Sequence, residues 1–300
     1  MIRFHRPSLA AALFLTCAGA AQSEGIKDFF PEDYAQLNDQ DRALVDQLEL
    51  YQGKVTTSDG MAQLDVPEGY YFLDATDAQL VLEKFWGNPP DKTVTGMIFP
   101  RSGWAWTGAW GAPISYDPMG YVSDEDAGNT DFDALLSEMK QDTQDGNAWR
   151  KENGYDAITL IGWAEPPHYD AQTKELYWAK DLHFDGADAD TLNYDIRELG
   201  RKGVLIVSFV ADMSQLEEVK AAAPDIRKMV DFTEGNRYAD FKPDLDTVAA
   251  VGIGGLIAGK VAAKAGLLVV LLAFLKKGFV LLLMPVIWLV NKLRGKPPAA

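Results

Sequence analysis

The chain has 300 residues, 47 % of them hydrophobic and 24 % charged, with a net charge of −16. This length allows one or two domains and a substantial core. The nine basic and no acidic residues in the first 22 positions and from Val248 onward leave 44 acids against 19 bases between them, a net charge of −25. A domain of that charge repels phosphate backbones and anionic headgroups, so nucleic acid is not an expected partner. Cys17 is the single cysteine.

The first 22 residues read as a secretory signal. Arg3 and Arg6 precede the apolar run Leu9 to Ala18, and Ala18-Gly19-Ala20 offers small residues for cleavage. Cleavage after Ala20 removes the only thiol, which excludes disulfides, cysteine nucleophiles and thiolate metal sites from the mature chain.

Residues 23–247 read as an acidic extracytoplasmic domain. Pro31 to Tyr51 carries Leu37, Leu44, Val45 and Leu48 at helical spacing. Lys54 to Thr57 and Met61 to Val66 flank Ser58-Asp59-Gly60 as a hairpin, and Tyr70 to Leu73 is a further strand. Ala75 to Trp86 reads as a helix stopped by Gly87-Asn88-Pro89-Pro90. Thr93 to Pro100 and Ala112 to Val122 are strand candidates, and Asp131 to Asn153 is a helix with an acidic first turn. Ala157 to Trp163 and Glu175 to Phe184 read as paired strands around a turn at Glu165 to Asp170. In the second strand Leu176, Trp178, Leu182 and Phe184 share one face, and Tyr177, Asp181 and His183 the other. Thr191 to Leu199 and Gly203 to Ala211 form another hairpin, and Leu216 to Phe232 a helix interrupted by Pro224. Hairpins without strand–helix–strand alternation predict an α+β domain, an antiparallel sheet with packed helices.

Residues 248–292 read as a membrane anchor and 293–300 as a basic cytoplasmic tail. The runs Ala265 to Leu275 and Gly278 to Val290 lack charge, but each is shorter than the about 20 residues a spanning helix needs. Two readings are open. A span over roughly Gly266 to Val290 buries Lys276-Lys277 at its centre. The preferred span starts near Gly255 and ends at that lysine pair, with Lys260 and Lys264 reaching the outer headgroups and the second run in the interface or re-entrant. The basic end at Lys292, Arg294 and Lys296 then lies inside. The expected location is the bacterial inner membrane, with the domain facing the periplasm.

The stretches Val66-Pro67-Glu68-Gly69-Tyr70, Trp86-Gly87-Asn88-Pro89-Pro90, Gly162-Trp163-Ala164-Glu165-Pro166-Pro167, Leu176-Tyr177-Trp178-Ala179-Lys180, Leu192-Asn193-Tyr194-Asp195-Ile196-Arg197 and Tyr238-Ala239-Asp240-Phe241 resemble, in order, the domain-of-unknown-function family 2167. The resemblance implies a membrane-anchored bacterial protein. It supplies no activity, cofactor or catalytic residue.

The chemistry is therefore read from the residues. Asp124, Glu125 and Asp126 with Asp131 and Asp133 form the densest carboxylate group. As a calcium loop it fails, because Leu135 stands where a bidentate acid is needed. Asp240, Asp244 and Asp246 have spacings that could converge on a cation, but a cap and turn explains them more simply. No metal or cofactor is expected. His168 and His183 are placed to meet across the predicted turn, and Asp181 shares the face of His183, which suits a general base. Asp195, Arg197 and Arg201 read as ion pairing. Trp104, Trp106, Trp110 and Tyr116, and Trp163, Tyr169, Tyr177 and Trp178, form two aromatic groups, of which Trp104, Trp106, Trp163, Tyr177 and Trp178 are the candidate binding platform. Two functions remain: an envelope interaction or scaffold module, with a protein partner or a second copy, and a carboxylate-based glycan hydrolase using Glu165 with Asp170 or Asp181, beside His183. A concave pocket holding two carboxylates within about 5 to 9 Å would favour the hydrolase.

Overall fold

The computed structural model describes residues 21–86, 88, 91–152, 154 and 156–259. The described chain runs β1 Gln22–Gly25, α1 Ile26–Phe29, α2 Pro31–Gln36, α3 Asp39–Val45, β2 Glu49–Thr56, β3 Ala62–Val66, β4 Tyr70–Asp74, α4 Ala75–Leu80, β5 Val94–Pro100, β6 Ala112–Asp117, α5 Phe132–Glu152, β7 Ile158–Asp170, β8 Glu175–Phe184, β9 Thr191–Leu199, β10 Val204–Asp212, α6 Leu216–Met229, β11 Val230–Phe232 and α7 Ile253–Ala258. The strands join one sheet in the order β11-β3-β2-β4-β5-β6-β10-β9-β8-β7, with β1 paired to β2. Every pairing between these strands is antiparallel. The α+β expectation holds.

The alternation of the strands divides the core between two faces. On one, Tyr194 and Ile196 of β9 and Leu205, Val207 and Phe209 of β10 pack under Val219, Ala223 and Ile226 of α6. On the other, Tyr71, Leu73, Met97 and Phe99 pack with residues of α1 to α4, and Leu176, Trp178, Val204 and Ile206 pack with Ile253, Leu256 and Ile257 of α7. Leu135 and Met139 of α5 close that second region.

Four local readings change. The helix expected over Pro31 to Tyr51 is broken. Asn38 caps a new helix by accepting from the Asp41 amide at 2.9 Å, and Glu49 onward is strand, with Leu48 and Leu50 buried. The turn expected at Glu165 to Asp170 is strand. Pro166 and Pro167 lack amide protons, yet β7 is an edge strand and its register shifts around them, so no ladder bond is lost there. α6 runs through Pro224 because its buried face continues on both sides of it, and Val230–Phe232 leaves the helix to pair with β3. β6 ends at Asp117, short of Val122.

The expected membrane anchor lies mainly outside the described residues. Its described beginning packs into the domain. α7 is six residues long, three of them buried, and closes at Gly259 with φ 66, a left-handed C-cap. The helix containing Gly255 is thus a piece of the core rather than the start of a span. Among the described residues no helix is long and apolar enough to cross a membrane.

Candidate functional site

On the α6 face, β8 and β9 bring Glu175 directly opposite Glu198. Both side chains line a small cavity with Arg227 and Ile226 of α6, Ile196 and Val230. Its volume is about 10 Å³, room for one water. Burial raises the Glu198 pKa to about 8, helped by the charges of Asp231 and Glu175. Burial also raises Glu175, opposed by Thr173 and by Arg227, whose guanidinium lies 3.8 Å from its carboxylate. At neutral pH Glu198 is therefore held largely protonated, in a cavity that Arg227 also lines. A carboxyl in that state can donate a proton, the property of a general acid.

The opposite face of β9 carries Asp195, 2 % exposed. Its carboxylate accepts from Ser208 Oγ at 2.6 Å and from Arg197 at 3.3 Å, and lies 3.1 Å from Lys180 Nζ. Burial opposes its charge, but Lys180 and Arg197 outweigh burial and hold the pKa below the ordinary carboxylate value. The expected ion pairing of Asp195 with Arg197 is present; Arg201 instead binds elsewhere.

The sequence-derived catalytic candidates are dispersed. Glu165 pairs with Lys220 of α6 at 3.3 Å. Asp170 caps the β7–β8 turn by accepting from the amides of Gln172 and Thr173, which lower its pKa. His183 contacts Asp190 through Nδ1 at 2.7 Å, and Asp181, raised by burial, feels both. The two histidines do not meet: His168 pairs with Tyr177 and His183 with Thr159, six residues farther along β8 and so roughly 20 Å away.

The aromatic candidates do not form one platform. Trp104 and Trp178 are buried core residues. Trp106 stacks on Trp104 at 5.9 Å. Trp163 donates to the Phe132 carbonyl at 3.4 Å on the α5 side. Tyr177 lies on the α6 side beneath Arg227, 4.8 Å from the ring centroid. Strand alternation puts Tyr177 and Trp178 on opposite faces.

Four of the five metal candidates, Asp124, Asp126, Asp240 and Asp246, are committed to protein groups. Asp124 accepts from Tyr169 (2.6 Å), Lys174 (2.7 Å) and Tyr238 (3.2 Å); burial works against its charge, and these bonds outweigh it to lower its pKa. Asp126 accepts from the Ile253 and Gly254 amides and caps α7. Asp240 accepts from the Arg237 amide, Asp244 is exposed, and Asp246 accepts from Nε and Nη2 of Arg201 at 2.7 and 3.0 Å. Among the described residues no three His, Cys, Asp or Glu side chains are grouped to hold a metal ion.

These bonds build a junction. The Asp124 and Asp126 contacts and the Arg201–Asp246 pair fasten 238–258 to the domain. Tyr121 adds a two-bond bridge, donating to the Thr247 carbonyl at 2.8 Å and accepting from the Ala249 amide at 2.7 Å. Gly120 makes the approach possible: its φ is 101, and a Cβ there would lie 2.7 Å from the Thr247 oxygen. A family model covers both the carboxylate pair and this junction, matching residues 49–287. The chain belongs to the family described as protein of unknown function, DUF2167. No curated protein matches it. Among solved structures it is similar to the solution structure of cyanobacterial PsbP (CyanoP) from Synechocystis sp. PCC 6803, at 8 % identity and a TM-score of 0.35, covering 60 % of this chain and 91 % of that one. A likeness at that score carries no argument about this DUF2167 member.

Sequence reasoning missed the Glu175–Glu198 pair. A signal was present: Glu198 continues the stripe Leu192, Tyr194, Ile196, where a buried face calls for another apolar residue.

Proposed function

We propose that this DUF2167 protein is a membrane-anchored interaction or scaffold module of the bacterial envelope, its domain facing the periplasm. The observation that carries this reading is the junction. Residues 238–258 lead into the apolar, acid-free tail, and they are fastened to the domain by Asp124, Asp126, Asp246 and the Tyr121 bridge. A domain fastened this closely to residues 238–258 stays next to whatever holds the residues that follow. The leader with Arg3 and Arg6 and the basic end at Lys292, Arg294 and Lys296 support the orientation.

A glycan hydrolase finds less support in the geometry. Its chemistry needs a sugar ring between two carboxylates, and the cavity at Glu175 and Glu198 has room for one water. The test is fractionation of cells making the full chain. Retention in carbonate-washed inner membrane, with the domain digested by protease added to spheroplasts, is the expected result. A soluble chain, or one protected from that protease, overturns the proposal.

A further inference from the structure

Leu245, 77 % exposed, and Val248, 55 % exposed, are the two most exposed large apolar side chains among the described residues. They do not belong to a loose terminus. The Leu245 and Asp246 amides both donate to the Lys242 carbonyl at 2.9 Å, and the Tyr121 bridge grips the backbone on either side of Val248. The fold thus holds two apolar side chains outward, at an energetic disadvantage in water.

Two exposed lysines stand beside them in a strongly acidic domain. Lys242 is exposed, and the Lys202 side chain is 56 % exposed, with Nζ 4.0 Å from Asp246. Asp246 is already neutralised by Arg201, which leaves Asp244 as the exposed acid of the segment. Eleven residues beyond Val248 the described chain ends at Gly259, and the tail that follows begins with lysines and uncharged apolar runs. An anionic surface would repel most faces of this domain and accept this one. Lipid matches both halves of the strip, apolar side chains for the headgroup–acyl boundary and lysines for the anionic headgroups.

We propose that Leu245, Val248, Lys202 and Lys242 form a docking strip that rests on the surface of an anionic bilayer, with Leu245 and Val248 entering the headgroup layer. The strip fixes which way the domain faces. This inference rests on the membrane-anchored reading, and the bilayer it names is the one that would hold the tail.

The test uses the full chain in a Cys17→Ser background, with single Leu245→Cys, Val248→Cys or Ile161→Cys variants carrying an environment-sensitive fluorophore. Ile161 is the control, 46 % exposed and roughly 25 Å along β7 from Tyr169, which touches Asp124 at the junction. Each is mixed with lipid nanodiscs rich in phosphatidylglycerol that contain a shallow spin-labelled lipid. A blue shift and quenching at 245 and 248 but not at 161, lost on Lys202→Glu with Lys242→Glu and weakened by salt, is expected. Equal exposure of all three labels overturns the strip. So does a blue shift that appears without lipid and is insensitive to the quencher, since a second copy of the chain would then be the cover. Co-elution of the chain with the discs is read separately. Co-elution without quenching at 245 sinks the strip and spares the anchor, and quenching at 245 without stable co-elution sinks the anchor and keeps the strip.

Discussion

Asp195 and Glu198 lie three residues apart on one strand, both in the sheet's interior, and they titrate in opposite directions. Asp195 faces Lys180, Arg197 and Ser208 and is held ionised. Glu198 faces the α6 side, where Glu175 stands opposite and Asp231 adds a like charge, so its pKa rises to about 8. Burial opposes charge at both positions. The neighbours therefore decide the sign, and strand alternation decides the neighbours. One side of β9 is a completed ion-pair network, and the other is a carboxylate pair kept uncharged in part.

The sharpest way to break this comparison is Asp195→Ala. It leaves Lys180 and Arg197 facing a vacated, largely buried position, and a cost of about 3 kcal/mol is expected, toward the low end for a broken buried pair because both cations keep some solvent contact. Urea unfolding at pH 7 measures it; a change below about 0.5 kcal/mol would mean the network contributes no more than a surface pair.

The second variant, Glu198→Gln, should act in the opposite sense. A raised folded-state pKa means the folded protein holds the proton more tightly than the unfolded chain. The stability contributed is present at low pH and lost as pH rises from the ordinary value of 4.5 through about 8. Glutamine keeps the uncharged form at every pH. At pH 8.5 the variant should gain about 1 kcal/mol, a rise in Tm of about 2–4 °C for a domain of this size, while at pH 4.5 it should match the parent. Asp195 runs the other way, its contribution present above the ordinary carboxylate range and lost on acidification. Thermal melts across pH 3 to 9 should thus show a maximum between the two, and Glu198→Gln should flatten only its alkaline side.

The smallest expected effect is Asp126→Ala. Loss of the cap on Ile253 and Gly254 should cost about 1 kcal/mol and speed amide exchange in α7 before it touches the sheet. Unchanged exchange at those two amides would remove Asp126 from the junction and leave the ion-paired face of β9 as the better-secured region.

Much of the fold was legible before the structure. Tyr70 to Leu73, Thr191 to Leu199 and the long helix after Asp131 follow from alternation, turn residues and capping acids. The misreadings share a cause. Glu165-Pro166-Pro167 has the composition of a turn, and only a place at the sheet edge lets it be strand. The apolar stretch from Gly255 suits the start of a membrane span, and only burial of Ile253, Leu256 and Ile257 against Val122 and Trp178 makes it core. The site was less legible, because Glu165, Asp170, Asp181 and His183 were grouped by nearness in sequence, whereas the register pairs Glu175 with Glu198 across 23 residues.

The sequence by itself determined the antiparallel α+β class and the partition between an acidic domain and an acid-free tail. These depend on periodicity, charge and local order, which a single strand or helix already expresses. The tertiary structure alone decided which carboxylates share an environment and which are neutralised. Alternation states that Asp195 and Glu198 point to opposite faces, but what covers each face comes from β8, β10, β11 and α6, brought there by the packing of the whole sheet.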